Sequence, residues 1–200
     1  MNNFVYHKNT IEFITVAKEF VALCEQDKKN DALKIVTIFH RILPLLYLKA
    51  LLLPDFESND EDIIEIVDEY SYNQIKKSFE ELLGHLDIDC IIPETVSQNN
   101  EQNFAPLSEI FADIYQDLKT VLFNFQSGDD LIMENSLNLC KQNFEIYWGQ
   151  RLLAALNGLH RLIFFQKDDL ENIKPKTVNK IENTDTSEWI INKVQKNFRR

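Results

Sequence analysis

The chain has 200 residues and a net charge of −11, from 32 acidic and 21 basic side chains, with only four glycines and five prolines. A hydrophobic content of 44% supplies an ordinary core and excludes wholesale disorder, while so few turn formers exclude a strand-and-turn architecture and favour long periodic helices. Residues 1–166 hold 26 acidic and 13 basic side chains and residues 167–200 hold 6 and 8, so an acidic body excludes a general nucleic-acid binder.

Phe13, Val16, Ala17, Phe20 and Cys24 recur at helical spacing and predict an amphipathic helix over 9–27. Asn30 or Asp31 can cap the next, which runs to Leu53 and stops before Pro54. It carries two apolar seams, Val36-Phe39-Leu43-Leu46-Ala50 and Ile35-Ile38-Ile42-Leu45-Leu52, and Pro44 inside it predicts a kink or a break. Residues 54–70 hold eight carboxylates and no Lys or Arg, with Ile63, Ile66, Val67 and Tyr70 predicting a short helix. Ile75, Phe79, Leu82 and Leu83 predict a helix from Ser71 to a stop at Gly84. Residues 85–106 have no period and read as a long loop.

The strongest stripe, Leu107, Ile110, Phe111, Ile114, Leu118, Val121, Leu122 and Phe125, predicts a helix over 106–127. Asp129 or Asp130 caps the following one, over 130–165, with the stripe Met133, Leu137, Cys140, Phe144, Trp148, Leu152, Ala155, Leu159 and Leu162. Gly149 and Gly158 interrupt it, where glycine marks a bend or a close approach. The short turn between these two helices makes them antiparallel. After Gln166 the chain turns polar, and Ser187 can cap a last short helix with Ile190, Ile191, Val194 and Phe198. The fold expected is all-α, an antiparallel bundle of about five to six main helices over 1–166, with a long acidic connection and a polar tail over 167–200 that ends in a short amphipathic helix.

Three scattered cysteines, Cys24, Cys90 and Cys140, form no disulfide framework and point to a reducing compartment. The N-terminus has no apolar signal core, and the longest apolar stretch, 42–53, contains Lys49 and falls short of the ~20 residues a bilayer needs. A cytoplasmic protein without a membrane segment is expected.

No glycine-rich phosphate loop, nucleophile elbow or HExxH motif occurs. The acidic run from Asp55 lacks the glycine and glutamate of a calcium loop, with Asp60 and Ile66 in those places. None of the four histidines follows a glutamate by three residues, and His85 near Asp87, Asp89 and Cys90 matches no ligand spacing. No cofactor or metal is therefore assigned. The polar constellation that stands out lies on the last two long helices. Asp113 and Asp117 sit one turn apart on the flank of one stripe, and Tyr147 and Arg151 border the other. An Asp117–Arg151 pair across the antiparallel helices is the structural expectation, and a groove lined by Asp113, Asp117, Tyr147 and Arg151 is the functional one. Two carboxylates one turn apart are part of a divalent-metal set, which Glu61, Glu65 and Asp68 complete only if the fold brings them near.

Three stretches, Leu43-Pro44-Leu45-Leu46-Tyr47-Leu48-Lys49-Ala50, Leu107-Ser108-Glu109-Ile110-Phe111-Ala112-Asp113-Ile114-Tyr115-Gln116-Asp117-Leu118-Lys119 and Tyr147-Trp148-Gly149-Gln150-Arg151-Leu152, together resemble an uncharacterised bacterial domain-of-unknown-function family over residues 8–165. The resemblance implies a helical bacterial cytosolic protein and carries over no activity. An acidic helical body, a basic tail and the lack of catalytic motifs favour a non-enzymatic binding or regulatory module that recognises a protein partner, or a homodimer through the surplus apolar face of the second helix. The alternative is an enzyme or ligand-binding bundle, metal-dependent or not, with a polar groove between helices 106–127 and 130–165.

Overall fold

Apolar spacing and capping side chains set the helices of the computed structural model, which describes residues 4–26, 31–56, 63–93 and 103–173. The Asp31 carboxylate accepts the Lys34 N–H at 2.9 Å and opens α2 (Ala32–Leu51), behind α1 (Lys8–Glu25). Asp68 does the same for the Ser71 N–H at 2.8 Å, starting α3 (Glu69–Leu83). Asp129 accepts from Leu131 N at 2.9 Å and starts α5 (Asp130–Asn143). Each cap satisfies donors that the helix itself cannot. Gly84 ends α3 at φ +56°, a backbone region that costs glycine little.

The segment expected to be a long loop contains two short antiparallel strands, β1 (Asp89–Ile92) and β2 (Asn103–Pro106), with Cys90 opposite Ala105 and Ile91 opposite Phe104. Cys90, Ile92 and Ala105 face inward while Ile91 and Phe104 face out, an alternation too short to stand out in sequence. The pairing delivers Asp87 to the start of α4 (Leu107–Phe125). Its carboxylate accepts from Ser108 N at 2.9 Å and from Ser108 Oγ at 2.6 Å, a cap supplied from 21 residues upstream.

α4 is the central helix, packed by α1, α3, α5 and α6 (Gly149–Phe165), with α2 laid across α1 and α6. One phenylalanine from each of four helices builds the middle of the core. Phe79 stacks on Phe111 at 4.4 Å between ring centroids, Phe39 lies 4.8 Å from Phe111, and Phe20 meets Phe39 edge-on at 5.6 Å. These offset and edge contacts suit the ring quadrupoles. Leu46 and Phe111, mid-stripe in sequence, are fully buried. A short closing helix, α7 (Lys167–Glu171), folds Leu170 back onto the body.

Three further expectations change. Residues 63–68 do not form a helix; α3 begins only at Glu69. The buried Asn124 amide instead takes both backbone groups of Ile64, accepting its N–H at 3.0 Å and donating to its carbonyl at 2.9 Å. A side-chain clasp thus satisfies groups that a helical turn would have used. Pro44 does not break α2, which continues through it with the proline on its exposed face. The run from Asp130 to Phe165 is not plain α-helix, because a π turn, Phe144–Trp148, lies between α5 and α6. The Gly149 N–H donates to the Phe144 carbonyl across five residues, and a Cβ at Gly149 would collide with that carbonyl oxygen. Gly158 makes room differently: a Cβ there would lie 2.8 Å from Cys90 Sγ and 3.1 Å from Leu107. The C-terminal helix expected after Ser187 and the acidic residues 57–62 lie outside the described residues.

Candidate functional site

In an antiparallel helical hairpin, residues nearer the turn on one helix meet residues nearer the turn on the other. Asp117 is therefore opposite Asn143, and Asp113, one turn further from the connection, meets residues beyond the π turn. The Asn143 Nδ2 donates to Asp117 Oδ1 at 2.6 Å. Arg151 donates through Nε to Asp113 Oδ2 at 2.8 Å, its side chain running back toward the start of α6 as helical side chains do. The expected Asp117–Arg151 pair is thus replaced by Asp113–Arg151. Axial position is the physical reason: with Asn143 opposite Asp117, Arg151 lies about 12 Å further along the run, closer to Asp113 one turn beyond.

Asp113 is 7% exposed and has a second donor, the Tyr72 hydroxyl from α3, at 2.8 Å on Oδ1. The carboxylate is saturated by a guanidinium and a phenol, as a buried charge must be. Burial first, and then the hydrogen bond to Asp113, push the Tyr72 hydroxyl far above its ordinary range. The Arg151 guanidinium carbon lies 3.7 Å from the Tyr147 ring centroid, a cation–π contact that holds the ring flat beneath it. Burial and the neighbouring Asp113 charge push the Tyr147 hydroxyl up to about 12.

Asp117 has a different environment. It lines a groove of about 390 Å³ walled by α4, α5, the π turn and the acidic connection, together with Glu65, Asn143, Leu139, Ile146 and Tyr147. Burial pushes its carboxyl from an ordinary 3.8 up to about 6; the Asn143 hydrogen bond opposes this, Asp113 adds to it and Arg151 reduces it. Asn143 occupies one oxygen, and no hydrogen bond from a described residue reaches the other. Among the described residues no Lys or Arg lines the groove, and Asp117 and Glu65 give it negative potential. Ile146 stands on the rim at 75% exposure, with Tyr147 and Leu139 partly exposed beside it.

The four residues singled out from sequence therefore divide. Asp113, Tyr147 and Arg151 form a tight ion pair and aromatic contact with Tyr72, and only Asp117 and Tyr147 line the groove. Sequence reasoning missed Tyr72 and Asn143. Asn143 carries a legible signal, one turn before Tyr147 on the same flank; Tyr72 carries none, because its partner is 41 residues away. Of the conditional acids, Glu65 reaches the groove, Asp68 is occupied as the α3 cap, and Glu61 lies outside the described residues. Among the described residues, no group of three or more His, Cys, Asp or Glu side chains is placed to hold a metal ion. His85 is exposed, whereas Asp87 caps α4 and Cys90 turns inward.

No helix among the described residues is long and apolar enough to cross a membrane. The three cysteines are buried and none is in a disulfide. No curated protein matches the chain. The crystal structure of protein BF1032 from Bacteroides fragilis, a structural-genomics target, is similar over 81% of this chain and 96% of its own, with 36% identity and a TM-score of 0.72. The model of a family described as a domain of unknown function, DUF5063, matches residues 4–164, which span the bundle from before α1 to the end of α6. The chain belongs to the DUF5063 family.

Proposed function

We propose that this protein is a non-enzymatic helical binding module that recognises a basic segment of a protein partner through the groove between α4 and α5. One observation carries the reading: two carboxylates, Asp117 and Glu65, line a groove that has no cation among the described residues, and Ile146 projects from its rim at 75% exposure. A groove of about 390 Å³ is at the small end of ligand sites, the scale of a few inserted side chains rather than a large cofactor. A Lys or Arg of the partner meets the open oxygen of Asp117, and apolar neighbours cover Leu139, Ile146 and Tyr147. Three buried cysteines outside any disulfide fit a reducing compartment, and a cytoplasmic location goes with the proposal.

The experiment is affinity capture from a lysate of the native host with the full chain, Asp117→Asn and Ile146→Glu, followed by cross-linking and mass spectrometry. A partner held by the natural chain, lost at least tenfold with both variants and cross-linked through a basic segment is the expected result. Capture indifferent to both substitutions overturns the proposal. A second reading, a small-molecule or enzymatic site, is favoured by the raised Asp117 carboxyl and by the π turn, a helical irregularity frequent at functional positions. It predicts that a small amine protects Asp117 while no protein is retained.

A further inference from the structure

The groove asks for a short segment that is both basic and apolar, and this chain carries one. Residues 189–200 contain Trp189, Ile190, Ile191, Val194 and Phe198 interleaved with Lys193, Lys196, Arg199 and Arg200, with no acidic residue among them. They lie outside the described residues. The contrast with the rest of the molecule is sharp, since residues 1–166 carry twice as many acidic as basic side chains. We propose that residues 189–200 of this chain occupy the groove in cis, with a tail cation at Asp117 and Glu65 and tail apolar residues over Leu139 and Ile146. This deepens the binding reading and rests on it: the tail is a built-in competitor that a partner must displace.

Length permits the contact. The described chain ends at Ile173, after α7 has packed against α2 and α6. The groove lies at the opposite end of α6, beside the π turn, and 17 helical residues at 1.5 Å each put that end about 25 Å away. Fifteen intervening residues reach at most about 50 Å when extended. Tethering also turns the encounter into an intramolecular one, with an effective concentration on the order of millimolar, so even a low intrinsic affinity fills the groove.

Other apolar surface fits the tail less well. Leu45, Leu48 and Leu51 are exposed along α2, but that face continues into His40, Arg41 and His160, with His40 and His160 at 5.7 Å between ring centroids. Burial first, then His160 and Arg41, lower the His40 pKa, and Arg41 places a fixed cation on that face. A segment with four cations is repelled there and attracted to the groove.

The test uses the full chain. The native thiols are buried, so Asn197→Cys places a nitroxide label on the tail alone, and methyl resonances report where it goes. At low salt the label is expected to remove more than half the signal intensity of Ile146 and Leu139 while leaving Leu45 and Leu48 unaffected. Charge reversal with Lys193→Glu and Lys196→Glu, or 0.5 M salt, is expected to restore that intensity and to raise partner capture several-fold. Loss of intensity on the α2 face instead, or no loss anywhere, overturns the tail proposal. If capture still depends on Asp117 and Ile146 in that case, the binding reading stands without it; if the groove methyls respond to the label and capture ignores both residues, the tail proposal stands and the partner reading falls.

Discussion

Asn143 places a neutral amide donor 2.6 Å from Asp117, whereas Arg151, the nearest cation in the network, is committed to Asp113. The carboxylate that lines the groove therefore carries its charge with only partial compensation. In the unfolded chain it titrates near 3.8, in the fold near 6, so between these values the folded state retains a proton that the unfolded state has lost. Stability falls as pH rises through this window, and above about 6 the destabilisation is complete. Asp117→Asn is expected to be more stable than the natural chain at pH 7, on the order of 1–3 kcal/mol. The two unfolding curves should converge below pH 4. Equal stability at pH 7, or a variant that is less stable there, would show that the charge is well compensated.

Asp113 behaves in the opposite way. Its carboxylate is buried and its two donors are half-buried, so Arg151→Ala leaves an uncompensated carboxylate and Asp113→Asn a poorly compensated guanidinium. Each is expected to cost about 3–5 kcal/mol in denaturant unfolding. A double-mutant cycle on Asp113 and Arg151 should give a coupling of roughly 1–3 kcal/mol, and the corresponding cycle on Asp117 and Arg151 should give less than about 0.5. The reverse order would restore the pairing that spacing alone suggests.

Gly149→Ala tests the π turn. In an ordinary helix interior this change stabilises by about 1 kcal/mol. Here the new methyl meets the Phe144 carbonyl and the Phe144 ring, so a loss of about 1–3 kcal/mol is expected, as for an overpacked site. A gain in melting temperature would mean that the turn relaxes to α-helix without consequence.

Phe111→Ala removes the ring that touches Phe20, Phe39 and Phe79 at once. A loss of about 3–5 kcal/mol is expected, with Leu46→Ala at about 2–5. Losses below 1 kcal/mol at both would contradict the placement of the four-ring core.

The parts of this fold that could be read from sequence are those that repeat or punctuate. The α4 stripe from Leu107 to Phe125 recurs every three to four residues for five turns, and Asp31, Asp129 and Gly84 mark helix ends with side-chain chemistry that acts locally. The parts that could not be read depend on distant partners. Asn124 looks like any polar residue on a helix flank until Ile64 lies beside it, and Asp87 gives no local sign that it caps a helix 21 residues later. The site shows the same division. Asp113, Asp117, Tyr147 and Arg151 were visible because they border stripes on consecutive helices. Their pairing was not, because it depends on how far each residue stands from the connection, along a run that the π turn lengthens by one additional residue.

That additional residue has a consequence for the molecule as a whole. Each residue of an α-helix turns the chain by about 100°, so the wide turn at Phe144–Trp148 works as a phase shifter in one continuous rod. Before it, α5 presents Leu137 and Cys140 to α4; after it, α6 presents its buried side chains to α2, α4 and β1. Closing the turn to plain α-helix without a change of length would rotate Leu152, Ala155 and Leu159 out of the seam together and carry Arg151 away from Asp113, whereas removing one residue there would leave both flanking helices close to their present phase. Between residues 143 and 149 the loss of one residue is therefore expected to be tolerated better than the gain of one, which adds a further turn of about 100° that nothing there absorbs.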